Sequence, residues 1–347
     1  MRVLLNGPRP PPHGGISVHV SGIHRQLMAA GITCRVLDMN VVRPGFGFAW
    51  EVLRYGLQGW TLHLHTNGHN LKSWLIALGC GLAGQFRGGC VLTLHSGMVP
   101  GYLENSRLSS LHRLGRRRLA ALTCSLYRQV ICVSPEIRSA LISLGAQPQR
   151  MDVLPAFLNS ESREVAPEPR LLAWIGRYRP LLSTVLFFRP EYGFDLLIAC
   201  LARLHRLYPS FGCLVMGSGE QRAEAERRVR EAGLEQSVLL LGDVNHETCL
   251  ALMSACDVFL RPTFEDGDSI SVREALALGV PVVASRVGTR PAGAILFHPG
   301  NVDEMLAAIA SALAVKRGSQ TRAAGCTDRL MEIYRQVGGS EGSMCLN

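Results

Sequence analysis

Short apolar runs alternate with amphipathic stretches along most of this chain. Residues 3–6 read as a buried strand, and a Pro/Gly loop runs from Gly7 to Gly15. Val18, Ile23, Leu27 and Ala30 recur at close to helical spacing and predict a helix over 16–30. Gly31 stops it, and a strand follows over 33–37. Strands are predicted over 62–65 and 91–95, each delivering a histidine at its carboxyl end, and over 129–133 and 151–154. Ser134, Pro135 and Glu136 supply a cap, a first-turn proline and an early acid, so a helix opens there.

The rhythm breaks over 159–182. Residues 159–169 are polar and proline-bearing, as a connection between domains would be. The stretch 171–182 is ambiguous, with Trp174 packing either in a cleft or on the second half. Alternation then resumes. Strands are predicted over 184–188, 212–216, 237–241, 258–261 and 280–284, and helices over 194–207, 220–233, 247–254, 272–278 and 302–313. This pattern gives open, parallel sheets with helices on both faces. The expected class is α/β. A Rossmann-like domain covers 1–160, a linker region 161–182, a second Rossmann-like domain 183–320, and a C-terminal helix over 321–337 is able to cross back to the first domain. The tail from Gly338 onward reads as frayed.

Composition narrows the partners. The 347 residues allow two domains, and a formal charge of +9 fits nucleic acid, an anionic membrane surface or a small anionic ligand. Aromatic content of 6% and the lack of any recognisable module argue against specific nucleic-acid binding. The 11 cysteines show no paired-ligand spacing. Cys80, Cys90, Cys124, Cys132, Cys200 and Cys213 lie in apolar or small-residue surroundings, as buried thiols of a reducing compartment would. The first residues do not resemble a signal peptide, and no apolar run reaches the length of a spanning helix. A cytoplasmic protein is expected, peripheral contact with the cytoplasmic membrane face being compatible. Arg107, His112, Arg113, Arg116, Arg117 and Arg118, interspersed with leucines, form either an amphipathic helix for anionic lipid or a solvated basic face. Oligomeric state is not encoded in any feature of the sequence.

Open α/β sheets bind ligands at the carboxyl ends of their strands. In the first half those ends carry the loop with Gly14 and Gly15, then His65, His95 and Ser134. In the second they carry Arg189, Gly217 to Glu220, and Arg261 to Asp268, followed by Glu274. Backbone donors of a Gly/Ser loop and a helix start suit a diphosphate, and Arg189 adds a multi-donor cation. Each feature also has a plainer reading. Gly15 and Gly217 serve as turn residues, Arg189 as a surface cation packed on Tyr192, His95 as a satisfied core imidazole, and Glu274 as a favourable first-turn acid. His63 and His65 face one side of their strand, but no third ligand stands at the expected spacing, so no metal site is expected. The acid pair Asp266 and Glu274, eight positions apart around Gly267, Ser269 and Ser271, is the strongest signal.

At this pair the chain resembles the family 4 glycosyltransferases, retaining enzymes of GT-B architecture, in which two Rossmann-like domains face each other across a cleft. Asp266 stands at the first acidic position of the family signature, with Glu265 a rival, and Glu274 at the second; the run Gly279 to Ala284 completes the match. Looser similarity includes Gly14 and Gly15, His95, Ser134, the segment Phe188 to Gly193, Gly217 to Glu220, and Ala255 to Phe259. The resemblance implies transfer of a sugar from a nucleoside diphosphate sugar to a hydroxyl of a glycan or lipid-linked acceptor, with no tightly bound cofactor or metal. It implies that Glu274 holds ribose hydroxyls and that Asp266 lies near the transferred sugar. Arg189 would neutralise the diphosphate with help from the backbone of Ser269, Ile270 and Ser271, while His95 orients sugar and acceptor and Gly15 lets its loop close on the donor. Two departures stand out: Tyr192 occupies the neighbourhood of a usual lysine, which leaves Arg261 as a replacement cation, and Asp268 follows Gly267. A sugar-nucleotide epimerase or hydrolase of the same fold, and a degenerate sugar-nucleotide-binding module, are the alternatives.

Overall fold

A computed structural model describes residues 1–104, 109–156, 168–315 and 326–338. It forms two compact units. In the first, β1 (Arg2–Gly7), α1 (Gly15–Ala29), β2 (Thr33–Asp38), α2 (Phe46–Leu57), β3 (Thr61–Thr66) and α3 (Leu71–Ala83) come in order. They are followed by β4 (Cys90–Leu94), α4 (Val99–Glu104), α5 (Ser110–Ser125), β5 (Gln129–Cys132), α6 (Pro135–Ile142) and β6 (Met151–Val153). The second unit contains α7 (Pro169–Ile175), β7 (Leu181–Val185), α8 (Phe194–Leu207), β8 (Gly212–Met216), α9 (Arg222–Glu231) and β9 (Val238–Gly242). It continues with α10 (His246–Ser254), β10 (Val258–Arg261), α11 (Ile270–Ala277), β11 (Val282–Ser285), β12 (Ala294–Phe297) and α12 (Val302–Ala314). The last helix, α13 (Cys326–Gly338), packs on the first unit, where Ile333 and Tyr334 join the core of Val3, Leu5, Ile23, Val91 and Ile131.

Both sheets are parallel. The first has the order β2-β1-β3-β4-β5-β6 and the second β12-β11-β10-β7-β8-β9. Strand order reverses beside β1 and β3 in one sheet, and beside β7 and β10 in the other. These switch points are where such sheets open a crevice at their carboxyl ends. Alternation along the buried strands builds two helix-covered layers in the second unit. Leu182, Val215, Leu260 and Val283 pack with Leu197, Leu201 and Ile309 on one face. Leu181, Leu214, Met216, Phe259 and Val282 pack with Leu252 and Val272 on the other.

Local signals place many boundaries. Ser134 caps α6 by accepting from the Ile137 amide, with Pro135 in the first turn. Asn245 and Asn301 cap α10 and α12 in the same way. The strand expected over 184–188 instead occupies Leu181–Val185. Both windows are apolar. Pro180 marks the start, and Leu186 to Phe188 becomes a loop whose Leu186 and Phe188 amides bond Met216 and Ser218 carbonyls. The ambiguous stretch before it resolves into α7 and β7, with Trp174 packing on the second unit against Tyr178. Of the expected linker, 161–167 lies outside the described residues, as do Arg107, 321–325 and most of the tail.

Candidate functional site

At the switch point of the second unit, the loop after β10 and the start of α11 bring Asp266, Ser269, Ile270, Ser271 and Glu274 onto one connection. Ser269 is the cap residue, and the Ser269 and Ser271 hydroxyls lie 3.1 Å apart, both buried. Because α11 begins at Ile270, Glu274 sits in its second turn rather than at its opening. Its carboxylate is 7% exposed and meets His246 Nε2 at 2.6 Å. His246 is the first residue of α10, and nothing in the sequence signalled it, since 28 residues separate the partners.

Asp266 is held between two arginines. Arg261 Nε donates to its Oδ2 at 2.9 Å and Arg290 Nη1 at 3.0 Å. Burial opposes its ionisation, but the two guanidinium groups outweigh that and keep its carboxyl below the ordinary range. Arg290, another residue that the sequence reading missed, also donates to Thr263 and to the Ser285 carbonyl. Asp268 points inward as well, and Arg273 donates to both of its oxygens, at 2.7 and 2.9 Å. Burial lifts its carboxyl to about 6 in spite of that partner. Glu265, by contrast, is exposed, so the inward acid of the pair is Asp266.

Arg189 follows β7 and is exposed; its guanidinium lies 5.6 Å from the Phe187 ring. Tyr192, instead of carrying Arg189, lies under Arg261 at 5.1 Å. Arg261 Nη1 also donates to the Val185 carbonyl at 2.7 Å, which ties the ends of β7 and β10 together. Gly217 has φ of 137°, and a Cβ there would meet the Leu186 carbonyl oxygen at 1.7 Å. The close approach of the loop after β7 is thus enough to require its identity.

In the first unit, His63 and His65 lie on one face of β3, and His95 follows β4. His63 is occupied on both nitrogens, by Tyr334 at 2.5 Å and Thr93 at 2.7 Å. His65 Nδ1 lies 3.1 Å from His95 Nε2. His65 Nε2 makes no hydrogen bond among the described residues. A buried donor without a partner is rarer than a buried acceptor without one, which favours His65 Nδ1–H donating to His95. Burial, joined by the neighbouring imidazoles, holds His65 and His95 well below the usual histidine range. His95 therefore presents a neutral, half-buried imidazole, suited to hydrogen bonding with a hydroxyl. Gly15 is the exposed first residue of α1. Among the described residues no helix is long and apolar enough to cross a membrane. The six cysteines named above are buried free thiols.

Two family profiles match this chain: one described as Glycosyl transferases group 1 over residues 179–314, and one as Glycosyltransferase Family 4 over 61–162. The 2-deoxystreptamine glucosyltransferase of Streptomyces kanamyceticus is 28% identical over 214 residues, 58% of this chain and 54% of that protein. The chain spans between about a third and a half of the length of the curated relatives it matches. Among solved structures, sucrose-phosphate synthase from Thermosynechococcus elongatus superposes with a TM-score of 0.71 at 21% identity, covering 97% of this chain and 99% of that one. Anabaena HepE in complex with UDP and glucose gives 0.68 at 17% identity, over 97% and 96% of the two chains. Two parallel, helix-flanked sheets, matched end to end by these structures, are the GT-B fold. Homology to the family 4 glycosyltransferases is thus supported in both units.

Proposed function

We propose that this protein transfers a sugar from a nucleoside diphosphate sugar to a hydroxyl of a glycan or lipid-linked acceptor, with retention at the anomeric carbon. The observation that carries the reading is Glu274, a buried carboxylate braced by His246 on the connection that also carries the amides of Ser269, Ile270 and Ser271. Its remaining acceptor capacity suits the vicinal hydroxyls of a ribose, and the amides suit a phosphate. Arg189, an exposed guanidinium with no ion pair among the described residues, supplies charge for the diphosphate. HepE, a neighbour of this fold, is known in complex with UDP and glucose, which supports a nucleotide donor.

In this reading the acceptor oxygen bonds the anomeric carbon on the face from which the diphosphate leaves. The bond from that carbon to the phosphate oxygen breaks, and the leaving phosphate takes the acceptor proton. The protein's main task is to stabilise charge on the departing diphosphate. Neutral His95 hydrogen-bonds sugar and acceptor hydroxyls. Asp266, clamped by Arg261 and Arg290, shapes the sugar pocket and is too well neutralised to act as a base.

A donor panel scored by binding and by mass-detected turnover, with and without acceptors, tests this. Glu274→Ala and Arg189→Ala should weaken donor binding, and His95→Ala should lower turnover more than binding. Donor cleavage unchanged by any acceptor would favour a hydrolase or epimerase, and unaltered donor affinity in Glu274→Ala would end the reading.

A further inference from the structure

The structure assigns the imidazole cluster of His19, His65 and His95 as a binding site for a divalent transition-metal ion of the zinc and cobalt class. The three rings arrive from α1, from β3 and from the residue after β4. One ligand nitrogen from each lies within 4.8 Å of the other two. The ring centroids form a nearly equilateral triangle: 5.4 Å for His19 and His65, 5.3 Å for His19 and His95, and 5.4 Å for His65 and His95. A tetrahedral ion bound by imidazole nitrogens at about 2.0–2.1 Å sets those nitrogens about 3.3 Å apart and the ring centroids about 5.2 Å apart. His65 Nδ1 and His95 Nε2 already stand at 3.1 Å, so closure brings the His19 nitrogen in from at most 4.8 Å.

A second observation is independent of that triangle. His19 Nδ1 is buried and makes no hydrogen bond among the described residues. Buried polar atoms are seldom left so, and one inside this cluster marks ligand capacity that packing does not use. Gly7 lets the cluster close: a Cβ there would meet Val20 Cγ2 at 2.9 Å and His65 Cβ at 3.3 Å. His63, engaged on both nitrogens, buttresses the His65 ring at 4.1 Å from below. A donor set of imidazoles selects zinc, cobalt, nickel or copper over magnesium and calcium, which prefer oxygen.

This ion is not a cofactor of the proposed transfer. Bound at His95 Nε2, it replaces the His65 contact that orients the ring and adds positive charge beside it, and so acts as a reversible inhibitor. The binding claim stands without the proposed function; only the inhibition rests on it.

Titration of the full chain with Co²⁺, read by visible ligand-field absorption, and with Zn²⁺, read by calorimetry, tests the site. One equivalent should bind with the spectrum of a nitrogen-ligated, four- or five-coordinate ion. Affinity should fall by more than about tenfold in His19→Asn and His65→Asn. It should be unchanged in His298→Ala, and Mg²⁺ should not compete. The spectrum of the free aqua ion alone, cobalt–thiolate charge-transfer bands, or full affinity in His19→Asn would overturn the assignment. If the variants fail to fold, the wild-type spectrum decides by itself. Loss of transfer on adding Zn²⁺, reversed by a chelator, is the separate functional arm; binding without inhibition would count against His95 as the group on the sugar and leave the metal site standing.

Discussion

The Arg261 guanidinium lies over the ring of Tyr192, 5.1 Å from its centroid, while its Nε bonds Asp266. Tyr192 stands in the neighbourhood where the resemblance leads one to expect a lysine, and we propose that the two residues form a compensating pair, the cation coming from β10 and the aromatic face replacing the amine. Tyr192→Lys alone should therefore destabilise the protein by about 1–2 kcal/mol, because it sets a second cation against Arg261 and removes the ring. Combining it with Arg261→Ser should cost less than the sum of the two changes by at least about 0.5 kcal/mol. Denaturant titration of the four proteins in the cycle measures this, and strict additivity would refute the pairing.

Arg261→Met should be the more damaging single change. It leaves the buried Asp266 with one guanidinium, that of Arg290, and takes from the Val185 carbonyl its side-chain donor. A loss of about 3 kcal/mol is expected, read as a lowered denaturation midpoint.

His246→Ala isolates the brace from the acid. Glu274 would keep its place in α11 but lose the 2.6 Å contact that orients it. Donor affinity should drop by roughly tenfold, less than for Glu274→Ala, since a charged hydrogen bond contributes about 1.5–3 kcal/mol. Competition binding with UDP and other nucleoside diphosphates reads both. Equal losses in the two variants would mean that the acid acts only through the histidine.

Gly217→Ala separates fold from ligand contact. The added methyl would strike the Leu186 carbonyl oxygen, and the φ of 137° disfavours any side chain. A stability loss of more than about 2 kcal/mol is expected, with ligand affinity of the surviving folded fraction unchanged. Normal thermal stability with impaired donor binding would reverse that assignment.

The two units should respond to pH with opposite sign at two buried groups. Burial raises the folded Asp268 carboxyl from 3.8 to about 6, so its contribution is fully present below 3.8 and is lost as pH rises through 6. Relative to wild type, Asp268→Asn should gain up to about 3 kcal/mol between about pH 4 and about pH 7. Burial, helped by His19, lowers His63 from 6.5 to about 3, so its contribution is present above 6.5 and is lost as pH falls from there. His63→Gln should thus gain on wild type as the solution is acidified. Urea titrations at several pH values give both gaps, and parallel slopes would contradict the assignment.

Strand-helix alternation, the cap at Ser134, and the acid pair Asp266 and Glu274 are local features, written in neighbouring residues and in the period of burial. These determined the α/β class, the two-sheet organisation and the segment around which the site is built. The helices α2 and α3 escaped that reading because their exposed apolar residues, such as Phe46, Trp50 and Leu75, blur the helical stripe. What only the tertiary structure decided is which distant groups meet. His246 reaches Glu274, Arg290 reaches Asp266, and His19 joins His65 and His95 through contacts between elements far apart in the chain. A periodic pattern specifies which face of an element is buried. The partner that a polar side chain finds there depends on strand order and helix placement, and these follow from packing the whole sheet.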